Sequence, residues 1–125
     1  MKFVHFLCVV LSVPLMLAAS VSNAGEMVRK ADGVLVNSAG MTLYTFDKDV
    51  PNSGKSACNG PCIALWPAVP ASDTAPAAPY SVVTRDDGSK QLAYKGKPLY
   101  LYSADTKAGE RKGDNFKNVW HVVAD

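Results

Sequence analysis

A short sequence pattern occurs twice in this chain and constrains its fold more than any other feature. Residues 43–49 read Leu-Tyr-Thr-Phe-Asp-Lys-Asp and residues 99–105 read Leu-Tyr-Leu-Tyr-Ser-Ala-Asp, so Leu-Tyr-x-aromatic-x-x-Asp recurs after 56 residues. A tryptophan follows each motif, and Trp66 and Trp120 are 54 residues apart, which a two-residue length difference in a loop explains. Similarity at a nearly fixed spacing is the signature of a structural repeat. We therefore predict two related units, each carrying one motif.

The first 24 residues have the character of a secretory signal peptide. Lys2 precedes an almost wholly apolar run over residues 3–19, and small side chains in residues 22–24 suit a cleavage site after Ala24. A membrane anchor is the alternative, but a span needs about 20 apolar residues, and a serine and a proline interrupt this run. We predict cleavage after Ala24, a periplasmic or secreted location, and no membrane span in the mature chain.

Removal of residues 1–24 leaves the 101 residues 25–125, with a formal charge of +1 once Lys2 is gone. This length is typical of one domain, and the low charge argues against a nucleic-acid partner. Repeat one is expected at about 33–69, a Pro- and Ala-rich connector at about 67–79, and repeat two at about 80–125. Because one repeat of about 45 residues is near the lower limit for independent stability, both should fold as a single β-rich domain.

The strand-like runs of both repeats predict β-hairpins. Runs 34–36 and 41–46 flank a Gly-bearing turn in repeat one, and runs 91–94 and 97–102 flank a two-residue Lys-Gly turn in repeat two. One helical turn would begin at Pro61, a favoured first helical residue. The predicted fold class is all-β and mainly antiparallel, with two pseudo-symmetric hairpin-based repeats in one small domain and at most a short helical turn near the cysteine pair.

Turn geometry predicts which residues lie opposite each other in the hairpins. The expected pairs are Leu92 with Leu99 in repeat two, and Val36 with Leu43 and Leu35 with Tyr44 in repeat one. In repeat two, one face would carry Leu92, Tyr94, Leu99 and Leu101. Both registers place aliphatic side chains on one face and the motif aromatics on the other. The aliphatic face has to be covered, most simply by the matching face of the other repeat.

Cys58 and Cys62 are the two cysteines that remain after removal of the signal segment, and they are four residues apart. In an oxidising compartment, an even pair at this spacing favours a structural disulfide. The alternatives are a redox-active pair, although thiol oxidoreductases use Cys-x-x-Cys, and a metal site, although zinc needs four ligands. Cys8 is near the start of the apolar run, so lipid attachment is not expected.

The motif aspartates, Asp49 and Asp105, come three residues after the second motif aromatic, where a strand gives way to a loop. An aspartate at such a place commonly accepts hydrogen bonds from backbone N–H groups of the following turn. In the alternative, the relation between the repeats brings the two carboxylates together, to bind a cation or to act as acid and base.

The four motif aromatics share one face of the hairpins in the expected register. They form either a second core layer or an aromatic platform for a ligand, a glycan or a protein strand. The aspartates would then shape the loops beside the platform. The candidate ligand-binding residues are therefore Tyr44, Phe46, Asp49, Tyr100, Tyr102 and Asp105.

His121 is the only histidine outside the signal segment. A lone strand histidine is usually a surface residue or a satisfied core residue, but it would also serve a metal or haem site with Met27 or Met41 as a second ligand. The sequence has no Ser-His-Asp set, phosphate-binding Gly loop or His-Glu-x-x-His pattern. We predict no catalytic residue and no cofactor.

The first motif, the segment 56–62 with its cysteine pair, and the Trp-Pro that follows together resemble the bacterial secreted repeat of unknown function. Members of that family are described as predicted lipoproteins with a Y-x-[FWY]-x-x-D motif. The resemblance extends from about residue 34 to 123, although repeat two has no cysteines and has Trp-His in place of Trp-Pro. It implies an exported module that is non-enzymatic or uncharacterised, and it names no substrate.

The function predicted from these observations is that of an exported envelope protein acting as a non-catalytic binding module. Its partner would be a small ligand or an envelope protein. The first alternative is a periplasmic protein that handles metal or haem through His121. The second alternative is an envelope enzyme that uses Asp49 and Asp105.

Overall fold

Short antiparallel strands form nearly all of the regular structure. The computed structural model describes residues 27–72, 74 and 76–124, and the predicted signal peptide lies outside them. The elements are β1 (Val28–Ala31), β2 (Val34–Asn37), β3 (Tyr44–Phe46), α1 (Pro61–Leu65), β4 (Tyr80–Thr84), β5 (Lys90–Tyr94), β6 (Lys97–Pro98), a 3₁₀ turn (Phe116–Asn118) and β7 (Trp120–Val122). In this described part, no helix is long and apolar enough to cross a membrane. The predicted all-β, mainly antiparallel fold is confirmed.

Hairpins β1–β2 and β4–β5 occupy corresponding places in the two repeats, and β6 extends the second. β1 and β2 are joined by Asp32 and Gly33, whose φ angles of 49° and 82° are positive, as a type I′ turn requires. Lys95 and Gly96 join β5 to β6 with φ angles of 50° and 78°. The two-residue turn predicted for repeat two is therefore present.

The register of repeat two follows from this turn. Tyr94 lies opposite Lys97, and Leu99 N–H donates to the Leu92 carbonyl at 2.9 Å. The predicted pairing of Leu92 with Leu99 is confirmed.

The register predicted for repeat one, with Val36 opposite Leu43 and Leu35 opposite Tyr44, is wrong by one residue. Val36 lies opposite Thr42, and Leu43 N–H donates to the Leu35 carbonyl at 3.0 Å.

The one-residue shift comes from the side chain of Asn37. Its Oδ1 accepts hydrogen bonds from the backbone N–H groups of Ala39 at 3.0 Å and Met41 at 2.9 Å. Gly40 ends the loop with a φ of 80°. A three-residue loop that ends in a left-handed residue replaces the expected two-residue turn.

The last strand of each repeat pairs with the other repeat. β7 belongs to repeat two and pairs antiparallel with β3 of repeat one, and Leu35 N–H donates to the Val123 carbonyl at 3.0 Å. The reverse exchange joins Leu92 N–H to the Val69 carbonyl at 2.8 Å. The two repeats are therefore interleaved through backbone hydrogen bonds.

The two motif tyrosines that follow the leucines lie side by side at the centre of this exchange. Tyr44 N–H donates to the Tyr100 carbonyl at 2.8 Å, and Tyr100 N–H donates to the Tyr44 carbonyl at 2.9 Å. An approximate two-fold axis passes between them and relates one repeat to the other.

Two clusters of buried side chains lie in the described part of the chain. The aliphatic cluster contains Leu35, Leu43, Val69, Leu92, Tyr94 and Leu99, with Leu101 packed against it. The aromatic cluster contains Tyr44, Cys58, Trp66, Tyr100 and Trp120. Both repeats contribute to each cluster, so the prediction that the aliphatic faces cover one another is confirmed.

Candidate functional site

The cysteine pair closes the loop that leads from the first motif to Trp66. Cys58 and Cys62 form a disulfide with a Cα–Cα distance of 5.2 Å, as predicted. Helix α1 begins at Pro61 and ends at Leu65. Cys58 is fully buried in the aromatic cluster. The disulfide therefore fixes the approach of Trp66 to that cluster.

Each motif tyrosine at the two-fold axis donates its hydroxyl hydrogen bond to the aspartate of the other repeat. Tyr44 Oη donates to Asp105 Oδ2 at 2.5 Å, and Tyr100 Oη donates to Asp49 Oδ2 at 2.6 Å. We call these two contacts the reciprocal pairs. All four side chains are at least 93% buried. The sequence identified these residues but did not indicate that they pair between repeats.

The second oxygen of each aspartate organises the loop that follows its own motif. Asp49 Oδ1 accepts a hydrogen bond from Ala57 N–H at 2.6 Å, and Asp105 Oδ1 accepts one from Lys112 N–H at 3.0 Å. These bonds are the ones that the loop-shaping interpretation predicts. The two carboxylates have different partners, and neither bonds to the other in the described part of the chain.

Burial determines the protonation of the reciprocal pairs. It raises the pKa of both Tyr44 and Tyr100, and the hydrogen bond to the partner aspartate raises each further. Burial also raises the pKa of Asp49, even though hydrogen bonds from Tyr100 and Ala57 N–H and the charge of Arg85 oppose the shift. The tyrosines therefore remain hydroxyl donors at neutral pH.

Arg85 is a buried residue of the site that the sequence reasoning missed. Its guanidinium Nη1 donates to Ser56 Oγ at 2.9 Å and to Gln91 Oε1 at 2.8 Å. Its Nη2 donates to Asn59 Oδ1 at 3.0 Å and to the Cys58 carbonyl. Strand β4 ends just before Arg85, next to a polar turn, so its sequence context is that of an exposed residue. Its burial depends on partners distant in sequence.

Four aromatic rings form a continuous parallel stack, which we call the aromatic stack. Phe46 stacks on Trp120 at a centroid distance of 4.2 Å, Trp120 on Trp66 at 3.8 Å, and Trp66 on Tyr102 at 4.1 Å. Residues from the two repeats are paired at every end: Phe46 with the tryptophan of repeat two, and Tyr102 with that of repeat one. The two tryptophans meet at the centre with an interplanar angle of 2°.

The tyrosines of the reciprocal pairs support the stack from its sides. Tyr44 meets Trp66 edge to face at 5.4 Å, and Tyr100 meets Trp120 edge to face at 5.1 Å. Edge-to-face contact is a favoured geometry for aromatic pairs. The reciprocal pairs and the aromatic stack therefore form one connected structure.

The predicted site residues divide into buried and accessible sets. Tyr44 and Tyr100 are 0% exposed, so both rings are core residues and present no face to a ligand. Phe46 and Tyr102, the two ends of the aromatic stack, are only partly buried. A platform of four exposed rings is therefore not formed. Ligand binding stays a prediction, and the accessible aromatic residues for it are Phe46 and Tyr102.

His121 lies on β7 opposite Thr45. Its Nε2 lies 2.8 Å from Asp47 Oδ2 and its Nδ1 lies 3.0 Å from Asn115 Oδ1. Met27, one of its suggested partners, is 74% exposed. In residues 27–72, 74 and 76–124, no group of three or more His, Cys, Asp or Glu side chains could hold a metal ion. The metal or haem role stays a prediction.

Comparison with known proteins identifies one match. A family model described as "Secreted repeat of unknown function" matches residues 26–70 and again residues 81–124. No curated protein and no solved structure matches significantly.

Proposed function

We propose that this chain, which belongs to the family described as a secreted repeat of unknown function, acts outside the cytoplasm as a non-catalytic binding module. The observation that carries the proposal is the aromatic stack, whose centre is buried and whose ends, Phe46 and Tyr102, reach the surface. The ligand would extend the stack at one or both ends.

A stack end suits a ligand with a flat apolar face, such as a sugar ring of a glycan or an aromatic side chain of an envelope protein. One face of each end ring is already occupied, Phe46 by Trp120 and Tyr102 by Trp66. Aromatic side chains supply large contact areas, and they are enriched in interfaces for this reason.

The interior of the site is preorganised. The reciprocal pairs and the disulfide hold the inner rings before any ligand arrives. A rigid site loses little conformational freedom on binding, which strengthens binding without further contacts. The motif aspartates therefore support the binding role by fixing the loops and the tyrosines.

The aspartates suit this supporting role better than acid–base catalysis. Both carboxylates are 7% exposed, and each accepts one tyrosine hydroxyl and one backbone N–H. A general acid or base needs an oxygen within hydrogen-bond reach of a substrate. The enzyme alternative would require these buried partners to be displaced.

The proposal is tested with Phe46→Ala and Tyr102→Ala, each used to capture partners from an envelope extract, with the captured molecules identified by mass spectrometry. Val50→Ala is the control, because Val50 is 66% exposed and lies outside the aromatic cluster. A shared loss in one or both stack-end variants, with the control unchanged and all variants folded by circular dichroism, supports the proposal. An unchanged set of captured molecules in both folded stack-end variants contradicts it.

The metal or haem alternative is tested on the same preparation. Purified protein is examined for bound metal and for haem absorbance, and then titrated with both. Uptake that disappears in His121→Ala would favour the alternative over the binding role of the stack.

A further inference from the structure

The outer face of the first hairpin carries an open slot of about 250 Å³. Val34 and Val36 line it from β2, and Ala108 and Gly109 line it from the loop that follows the second motif. The two valines are 3% and 2% exposed and belong to neither the aliphatic nor the aromatic cluster. The slot is therefore a separate apolar surface, independent of the aromatic stack.

The two-fold relation between the repeats shows where the counterpart of the slot lies. Gly109 N–H donates to the Gly40 carbonyl at 3.3 Å, and Asn52 N–H donates to the Gly96 carbonyl at 2.9 Å. In both cases the loop after one motif packs against the hairpin of the other repeat. The counterpart therefore lies between the second hairpin and the loop that contains Asn52.

Corresponding wall residues can be identified from shared hydrogen bonds. Val34 precedes the paired leucine of β2, and Gln91 precedes the paired leucine of β5. Arg111 precedes the residue whose N–H binds Asp105, and Ser56 precedes the residue whose N–H binds Asp49. Gln91 thus corresponds to Val34, and Ser56 corresponds to Arg111.

In repeat two, the Arg85 side chain fills this position. Its Nη1 bonds to both Ser56 and Gln91, at 2.9 and 2.8 Å. The hairpin of repeat one has no residue that corresponds to Arg85, because its turn consists of Asp32 and Gly33 alone, whereas five residues connect β4 to β5. The same place is consequently filled by the chain in one repeat and open in the other.

The rim of the slot is positively charged. Arg29 is exposed on β1, and its Nη2 is 3.8 Å from the point where a side chain on Gly40 would begin. Arg111 donates one hydrogen bond to the Asp32 carbonyl at 2.9 Å. The acidic residue that lines the slot is Asp32, so two guanidinium groups face one carboxylate. An anionic group is favoured at this rim.

We propose that the slot binds a medium-chain aliphatic carboxylate, a free fatty acid whose chain covers Val34 and Val36 and whose carboxylate lies between Arg29 and Arg111. The polarity is the reverse of repeat two, where a cationic side chain enters a polar site. The volume is just below the range of about 300–1,000 Å³ usual for ligand sites, which favours a short chain over a long lipid.

The test is calorimetric titration of the purified protein with octanoate, with acetate and octanol as comparison ligands. Octanoate should bind saturably with one site, and both comparison ligands should bind at least tenfold more weakly, since one lacks the chain and the other the charge. Between hexanoate and octanoate, affinity should rise about fourfold for each added methylene while the slot still holds the chain. Absence of saturable octanoate binding, or equal binding of octanol, overturns the proposal.

Three variants locate the binding. Ala31→Leu places a larger side chain in the slot and should abolish binding, and Arg29→Gln should weaken it roughly fivefold. Lys48→Gln removes the same charge from an exposed position outside the slot and should leave the affinity unchanged. Binding that neither Ala31→Leu nor Arg29→Gln alters overturns the proposal. Because the slot and the stack ends share no residues, that result leaves the stack-end proposal standing.

Discussion

The reciprocal pairs predict a large and specific effect of a single atom. Tyr100→Phe removes only the hydroxyl oxygen, which donates to Asp49 Oδ2 and lies 2.6 Å from Ser56 Oγ. The ring keeps its volume and its edge-to-face contact with Trp120. Any loss of stability therefore reports the hydrogen bond and not the packing.

The expected loss in the free energy of unfolding is about 2–3 kcal/mol. Hydrogen bonds to charged groups contribute about 1.5–3 kcal/mol, and a buried acceptor that loses its donor gives the larger values. Tyr100 is 0% exposed and Asp49 is 7% exposed, so water cannot replace the lost donor easily. Asp49 retains Ala57 N–H, which keeps the loss below that of an unpaired charge. For a domain of about 100 residues this corresponds to a fall in Tm of about 10–20 °C.

The measurement is urea unfolding of the wild type, Tyr100→Phe, Asp49→Asn and the double variant. The double-mutant cycle should give a coupling energy of about 1–2 kcal/mol between the two side chains. Tyr102→Phe is the matched control, because the Tyr102 hydroxyl has no hydrogen bond within the described residues. Its effect should stay within about 0.5 kcal/mol.

Two results would refute the reasoning about the reciprocal pairs. The first is an equal loss of stability in Tyr100→Phe and Tyr102→Phe, which would mean that the Tyr100 hydroxyl has no special partner. The second is a coupling energy near zero. A coupling that falls strongly with added salt would place the pair at the surface instead of the interior, since buried pairs are weakly screened.

Two further predictions concern stability. Burial raises the pKa of Asp49 above its ordinary value of 3.8, so the unfolded chain releases this proton first, and the contribution of Asp49 to stability falls as pH rises from about 4 toward the raised pKa. Asp49→Asn should remove this part of the pH dependence in urea unfolding, and an unchanged pH profile would contradict the assignment. The five residues from Cys58 to Cys62 form a small closed loop, so replacing both cysteines with alanine should cost about 2 kcal/mol. Thermal unfolding should then show a Tm about 8–15 °C lower, and an unchanged Tm would show that the disulfide does not constrain the unfolded chain.

Features set by local geometry could be predicted from the sequence. A Lys-Gly turn allows one register, so the pairing of Leu92 with Leu99 was predictable. The spacing of Cys58 and Cys62 predicted their disulfide, and Pro61 predicted the start of α1. In repeat one, local geometry depends on the hydrogen bonds of the Asn37 side chain, and the register was therefore missed by one residue.

Features set by partners distant in sequence could not be predicted. Both repeats carry the same Tyr and Asp, so a pair within one repeat and a pair between repeats have the same sequence pattern. Only the structure shows that Tyr44 binds Asp105, 61 residues away. The burial of Arg85 depends similarly on Ser56, 29 residues away. The aromatic residues were identified correctly, but their division into core and surface depends on this exchange.

The interleaving of the repeats determines when the chain can fold. β3 obtains its partner from β7, within the last six residues of the chain. A polypeptide that leaves the ribosome or a secretion channel amino end first therefore cannot complete even its first repeat until its carboxyl end has emerged. Contacts between distant segments also slow folding. The chain is thereby kept in an unfolded, threadable form during transit and closes only after it has arrived.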